Sequence, residues 1–107
     1  MTDKRLKQIE KQIRKIKEDL LQILEMRPGT LTIQYRNPKD KKGAFYQLSY
    51  TYKMKGKSEY VRPQHVAALK QQIKTYKKFK SLIEKWVDLS LEYSKLKIDL
   101  ANRNQLK

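Results

Sequence analysis

A chain of 107 residues with 26 basic and 11 acidic side chains carries a formal charge of +15, and only 38% of it is apolar. That length suits one folding unit over residues 1–107, the low apolar content suits extended helices better than a round core, and the charge favours polyanionic partners. There is no cysteine, which excludes disulfides, thiolate nucleophiles and thiolate metal sites. No apolar run approaches the length of a signal-peptide core or a membrane span, so a cytoplasmic protein without integral membrane association is expected.

The first segment places Leu6, Ile9, Ile13, Ile16, Leu20 and Ile23 at alternating spacings of three and four, the seam of an amphipathic helix over residues 3–26. Thr2 or Asp3 can cap its start, and Arg27-Pro28-Gly29 should stop it, because proline lacks the backbone donor and disfavours helical geometry in the residue before it. From Thr30 the period becomes two. Leu31, Ile33 and Tyr35 alternate with Thr32, Gln34 and Arg36 in a first strand, and Tyr46, Leu48, Tyr50 and Tyr52 alternate with Gln47, Ser49, Thr51 and Lys53 in a second, from about Ala44 to Met54. Lys55-Gly56-Lys57 is expected to turn the chain into a third strand from Ser58 to Arg62. Short links make residues 30–62 a three-stranded antiparallel meander.

Pro63 suits the first turn of a long helix over residues 63–104, whose seam runs Val66, Leu69, Ile73, Tyr76, Phe79, Leu82, Trp86, Leu89, Tyr93, Leu96 and Leu100. One step, from Tyr76 to Phe79, is three residues where the pattern asks for four, a defect that rotates the packing face. At ~1.5 Å per residue this helix would span ~60 Å against ~36 Å for the first. Leu89, Tyr93, Leu96 and Leu100 are therefore expected to be left bare and to form a dimer or partner seam, a homodimer being favoured over a break near residues 88–90 with back-folding. The fold class is α+β: an N-terminal helix, a three-stranded antiparallel meander and a long C-terminal helix, with coiled-coil-like packing.

Catalysis needs convergent acids, bases, nucleophiles or metal ligands, and the sequence offers none. His65 has no acidic neighbour in sequence to orient it, and the acidic residues are scattered singly, most within a turn of a lysine or arginine. The three glycines, Gly29, Gly43 and Gly56, are spaced for turns and not for a phosphate loop. No catalytic residue, metal site or cofactor is expected.

The positive charge is regional. Residues 36–80 hold thirteen basic and two acidic side chains, +11 of the +15, whereas residues 1–26 hold seven and five. The solvent side of the sheet would display Thr32, Gln34, Arg36, Gln47, Ser49, Thr51, Lys53 and Arg62, hydrogen-bonding side chains interspersed with cations and free of acids. Lys39, Lys41, Lys42, Lys55 and Lys57 would sit in the hairpin connections, where they can reach a phosphate backbone, and Lys70, Lys74 and Lys77, with Lys78, recur along the long helix. Tyr46, Tyr50 and Tyr52 share the phase of Leu48 and are expected in the core.

The motifs Pro28-Gly29-Thr30, Gly43-Ala44-Phe45-Tyr46, Gly56-Lys57, Tyr60-Val61-Arg62-Pro63, and Tyr76 with Phe79 resemble an uncharacterised prokaryotic domain family often found near mobile genetic elements. Members of that family commonly carry a cysteine-containing segment before the strand, where this chain has NPKDKK. The resemblance covers roughly the last three quarters of the chain; it implies the helix, hairpin sheet and long helix layout, and points to DNA-related work. The function expected is nucleic-acid binding, with DNA ahead of RNA and duplex DNA the polymer. The alternative is a coiled-coil structural or adaptor protein whose charge serves solubility, and a basic amphipathic helix also permits an anionic membrane surface as partner.

Overall fold

The computed structural model describes residues 2–105. In chain order they form α1 (Thr2–Leu21), β1 (Thr30–Asn37), β2 (Lys42–Tyr52), β3 (Lys55–Val61) and α2 (Pro63–Gln105). This is the expected α+β layout, with the strands in the order β1-β2-β3 and both pairings antiparallel. The described residues fall into two compact units, one of residues 25–78 and one of residues 2–24 with 79–105. The chain passes between them within α2 at Lys78–Phe79, where the seam spacing is defective.

In the sheet unit, the alternation of β2 sends Leu48 to one face and Gln47 and Ser49 to the other, and the register aligns Leu31 with Leu48 and Tyr46 with Val61. The first part of α2 covers that apolar face: Leu48, Val61, Val66 and Ile73 form the buried cluster, with Leu31, Tyr46, Tyr50 and Leu69 packed around it. Leu48 is 1% exposed and forms the centre of this small core. Tyr52 keeps the phase of Leu48 but is 55% exposed, since it lies at the end of β2 beyond the buried cluster, which corrects its expected core position.

The segment after α1 is tied to this core. The backbone N–H of Arg27 donates to the Gln72 carbonyl at 3.0 Å, and the Arg27 guanidinium lies 4.6 Å from the Tyr50 ring centre. Glu59 accepts from the Tyr50 hydroxyl at 3.0 Å and from Arg27 at 3.5 Å. The hydrogen bond to Glu59 is the main reason the Tyr50 phenol is held above its ordinary pKa. These ties explain why α1 stops at Leu21 and not at Met26: residues 25–29 belong to the sheet unit, and Leu21 and Leu24, 82% and 91% exposed, find no apolar surface to extend the seam.

The β2–β3 turn also differs from expectation. Tyr52 pairs with Lys55, so the connection is the two residues Lys53-Met54, both with positive φ, 51° and 67°. Two-residue connections of this mirror-image type match the strand twist, and that pairing gain outweighs the poor fit of lysine and methionine to left-handed backbone. Replacing Lys53-Met54 by Asn-Gly (K53N with M54G) is expected to raise the unfolding free energy by roughly 0.5–1 kcal/mol. Chemical denaturation of the pair of proteins checks this.

In the helical unit, Leu6, Ile9 and Ile16 of α1 and Leu82 of α2 are buried. Arg5 pairs with Glu92 (Nη2 to Oε1 at 2.8 Å), the Tyr93 hydroxyl donates to Glu10 at 2.9 Å, and the Lys17 ammonium lies 5.6 Å from the Trp86 ring centre. These pairs set α1 antiparallel to the distal part of α2. The seam expected to be bare meets α1 in part: Leu89, Tyr93, Leu96 and Leu100 are half-buried, Ile16 and Leu89 line one hollow, and Tyr93 is tied to Glu10. The beginning of α2 packs on the sheet, and α1 meets the distal part.

The Arg5 hydrogen bond holds the Glu92 carboxyl below its ordinary pKa. A carboxylate so depressed contributes stability above its unfolded pKa and loses it as pH falls through the lower folded value. Unfolding midpoints measured from neutral to acid pH should therefore fall less steeply in Glu92→Gln than in the parent. The difference should be small, and smaller at high salt, because the pair is exposed.

Candidate nucleic-acid interface

The face of the sheet turned away from α2 is built in cross-strand rows. Thr30, Ser49 and Ser58 form one, Thr32, Gln47 and Tyr60 the next, and Gln34 with Phe45 a third. A polar lattice joins them: Gln47 donates to the Ser58 hydroxyl at 2.9 Å, Ser49 and Ser58 share a 3.4 Å contact, and Gln34 donates to the Thr32 hydroxyl at 3.2 Å. Such ties hold short side chains in fixed positions on an open surface, so that approaching groups meet an ordered array.

At one end of this face Arg36 is exposed, and its side chain lies over Gly43. A Cβ on Gly43 would come within 3.0 Å of the Arg36 Cβ, and Gly43 has φ +68°, so glycine both permits the backbone shape and makes room for the arginine. Beyond it the β1–β2 turn carries Lys39 and Lys41, with Lys42 opening β2, all exposed. Asp40 in that turn accepts from the Asn37 amide at 2.9 Å, which helps fix the tip.

Gln34, Arg36, Gln47, Ser49 and Thr51 thus share the open face by phase, and the turn lysines adjoin its end. Arg62 follows β3 and is exposed. The remaining expected contacts are placed elsewhere. Lys53 is in the β2–β3 turn, its ammonium 5.3 Å from the Tyr52 ring centre. Lys55 and Lys57 are strand residues paired with Tyr52 and Tyr50, so by phase they belong to the side of Leu48. The hairpin closing two residues earlier than expected causes this reversal. Lys70, Lys74 and Lys77 line a hollow of about 310 Å³ with Gly29, Thr30, Leu31 and Ile73, on the α2 side of the sheet. They form a second basic surface, separated from the polar face by the sheet itself.

The unit of residues 25–78 holds thirteen basic and three acidic side chains, and each of the three acids is engaged: Glu25 by Gln72, Asp40 by Asn37, and Glu59 by Tyr50 and Arg27. None lies on the open face. Phe45 and Tyr60 do, whereas the polar side of the second strand was expected to begin at Gln47 and Tyr60 had no expected face. The alternation of β2 could have revealed Phe45, two residues before Gln47, but the phase of Tyr60 depends on the β3 register.

Among the described residues no cluster of three His, Asp or Glu side chains could hold a metal ion, and no helix is long and apolar enough to cross a membrane. His65, in the first turn of α2, donates its backbone N–H to the Arg62 carbonyl at 2.9 Å. No curated protein and no solved structure matches the chain. The family model described as a domain of unknown function (DUF6788) matches residues 6–71, from Leu6 in α1 through the whole sheet into α2, and the chain belongs to that family.

Proposed function

We propose that this protein binds nucleic acid, DNA ahead of RNA, through the open face of the sheet and the Lys39-Asp40-Lys41-Lys42 turn. The observation that carries the reading is an ordered, acid-free array of Thr, Ser and Gln side chains bordered by Arg36 and the turn lysines, in the unit that holds most of the net charge. The cations contact phosphates and set position, while the amides and hydroxyls meet sugar and base edges. Duplex DNA is the form the turn lysines suit, since ammonium groups on a hairpin tip can follow a groove-flanking backbone. The resemblance to a family found near mobile genetic elements is in keeping with DNA as the polymer. Fluorescence anisotropy of a labelled duplex, titrated across salt, tests the reading: binding that weakens steeply with salt supports it, and absence of binding at ~50 mM salt removes it.

A protein-binding role is the second reading, and a separate observation favours it. Val87, Leu91 and Ile98 of α2 are 51%, 67% and 57% exposed, and a hollow of about 420 Å³ lies along Ile83, Trp86, Val87, Ser90 and Leu91. A chain that stays monomeric by light scattering at ~100 μM and captures no helical partner counts against that role.

A further inference from the structure

We infer that Phe45 and Tyr60 form a stacking site for an unpaired base, so that the open face takes a single-stranded segment in preference to continuous duplex. The inference rests on the nucleic-acid reading above and names the form of the polymer that this face selects. The two rings stand on the open side of β2 and β3, their centroids 6.0 Å apart and their planes tilted by 44°. Tyr60 is 59% exposed although it alternates with the buried Val61, so its ring was placed outward by the same register that builds the core. At that separation and tilt the two rings are not stacked face to face, which leaves ring surface available to a planar ligand.

The surroundings decide which planar ligand. Gln34 shares the cross-strand row of Phe45, and Thr32 and Gln47 share that of Tyr60, so amides and a hydroxyl stand in the same rows as the rings. Arg36 lies on the same face next to the Phe45 row, and Lys39, Lys41 and Lys42 follow at the adjoining turn. An apolar peptide would gain nothing from that cationic border, and an acidic peptide without aromatic residues offers no plane to the rings. A nucleotide offers both, a flat base for the rings and a phosphate for the cations. Within duplex DNA the base faces are already stacked on one another, so only an unpaired base can use the site.

The test compares a single-stranded DNA of about 12 nucleotides with the matching duplex, by anisotropy, for the full chain and for Phe45→Leu, Tyr60→Leu and Phe45→Tyr, with circular dichroism as the check on folding. The parent should bind the single strand about tenfold more tightly than the duplex. Each leucine variant should lose single-strand affinity far more than duplex affinity, so that the preference disappears, and Phe45→Tyr, which keeps a ring, should retain it. Should one leucine variant fail to fold, the other carries the comparison. Equal affinity of the parent for the two polymers, or a preference that survives in the folded leucine variants, overturns the stacking site while leaving duplex binding standing. Binding to neither polymer overturns the nucleic-acid reading and the stacking site together.

Discussion

Gly29→Ala should lower the unfolding free energy by about 2 kcal/mol or more, whereas Gly56→Ala should change it by less than about 1 kcal/mol. Gly29 has φ +145°, a backbone shape that L side chains rarely adopt, and an added Cβ would stand 2.7 Å from Leu48 Cδ1 and 3.2 Å from the Ser49 carbonyl oxygen. Leu48 cannot swing aside, because it is 1% exposed at the centre of the cluster with Val61, Val66 and Ile73. At Gly56 a Cβ meets nothing within 4 Å and φ is not positive, so alanine is tolerated and serves as the control.

Leu48→Ala alone should cost about 3 kcal/mol through lost burial and the cavity left behind. Combined with Gly29→Ala, the total should fall short of the sum, since the alanine at 48 lacks the atom that clashes most closely. Denaturant titrations of the four proteins measure the coupling. Additive losses would mean that Gly29 acts through backbone shape alone, and an unchanged Gly29→Ala would contradict the packing described.

The elements themselves were readable because each one is written in a period. The three-four spacing of Leu6, Ile9, Ile13 and Ile16 made α1, and strict alternation around Leu48 made β2, with its buried face correctly chosen. What the pattern did not contain was the competition between segments. α1 ends at Leu21 because residues 25–29 are claimed by hydrogen bonds to Gln72 and by the Arg27 contacts to Tyr50 and Glu59, long-range ties that no local spacing reports. Likewise, Leu89 and Tyr93 were expected bare from helix lengths alone, because the first helix is too short to cover the whole of the long one. The sheet takes the start of α2, and α1 meets the distal part.

The candidate site was legible to the extent that it depends on strand phase. Gln34, Arg36, Gln47, Ser49 and Thr51 all fall on the open face as their alternation requires. Lys55 and Lys57 do not, because glycine was taken as the mark of the turn, while the chain turns at Lys53-Met54 and leaves Gly56 inside β3. A glycine between two lysines is a reasonable turn signal, yet the pairing of Tyr52 with Lys55 outweighs it. The lysines of α2 stand on the other side of the sheet for a simpler reason: the helix must cover Leu48, so everything it carries belongs to that side.

Reversing the charge of the β1–β2 turn should have the largest effect on binding. With Arg36, Lys39, Lys41 and Lys42 each meeting one phosphate, log affinity should fall against log salt with a slope of about −3.6, a loss of roughly 150-fold between 50 and 200 mM. In the variant K39E/K41E/K42E three of those contacts are gone, so the slope should shrink to about −1 and affinity at ~50 mM salt should drop at least a hundredfold. The matched variant K4E/K7E/K11E changes net charge equally on exposed positions of α1, in the other unit, and should lose far less. The comparison separates a placed interface from a merely positive protein.

The first measurement is therefore the salt series on the parent chain and these two variants, with one labelled duplex and anisotropy as the readout. The account predicts a steep slope for the parent and for the α1 variant, and a shallow one for the turn variant with its fold intact by circular dichroism. Equal slopes and equal affinities in all three proteins, or no binding by the parent at ~50 mM salt, would contradict it.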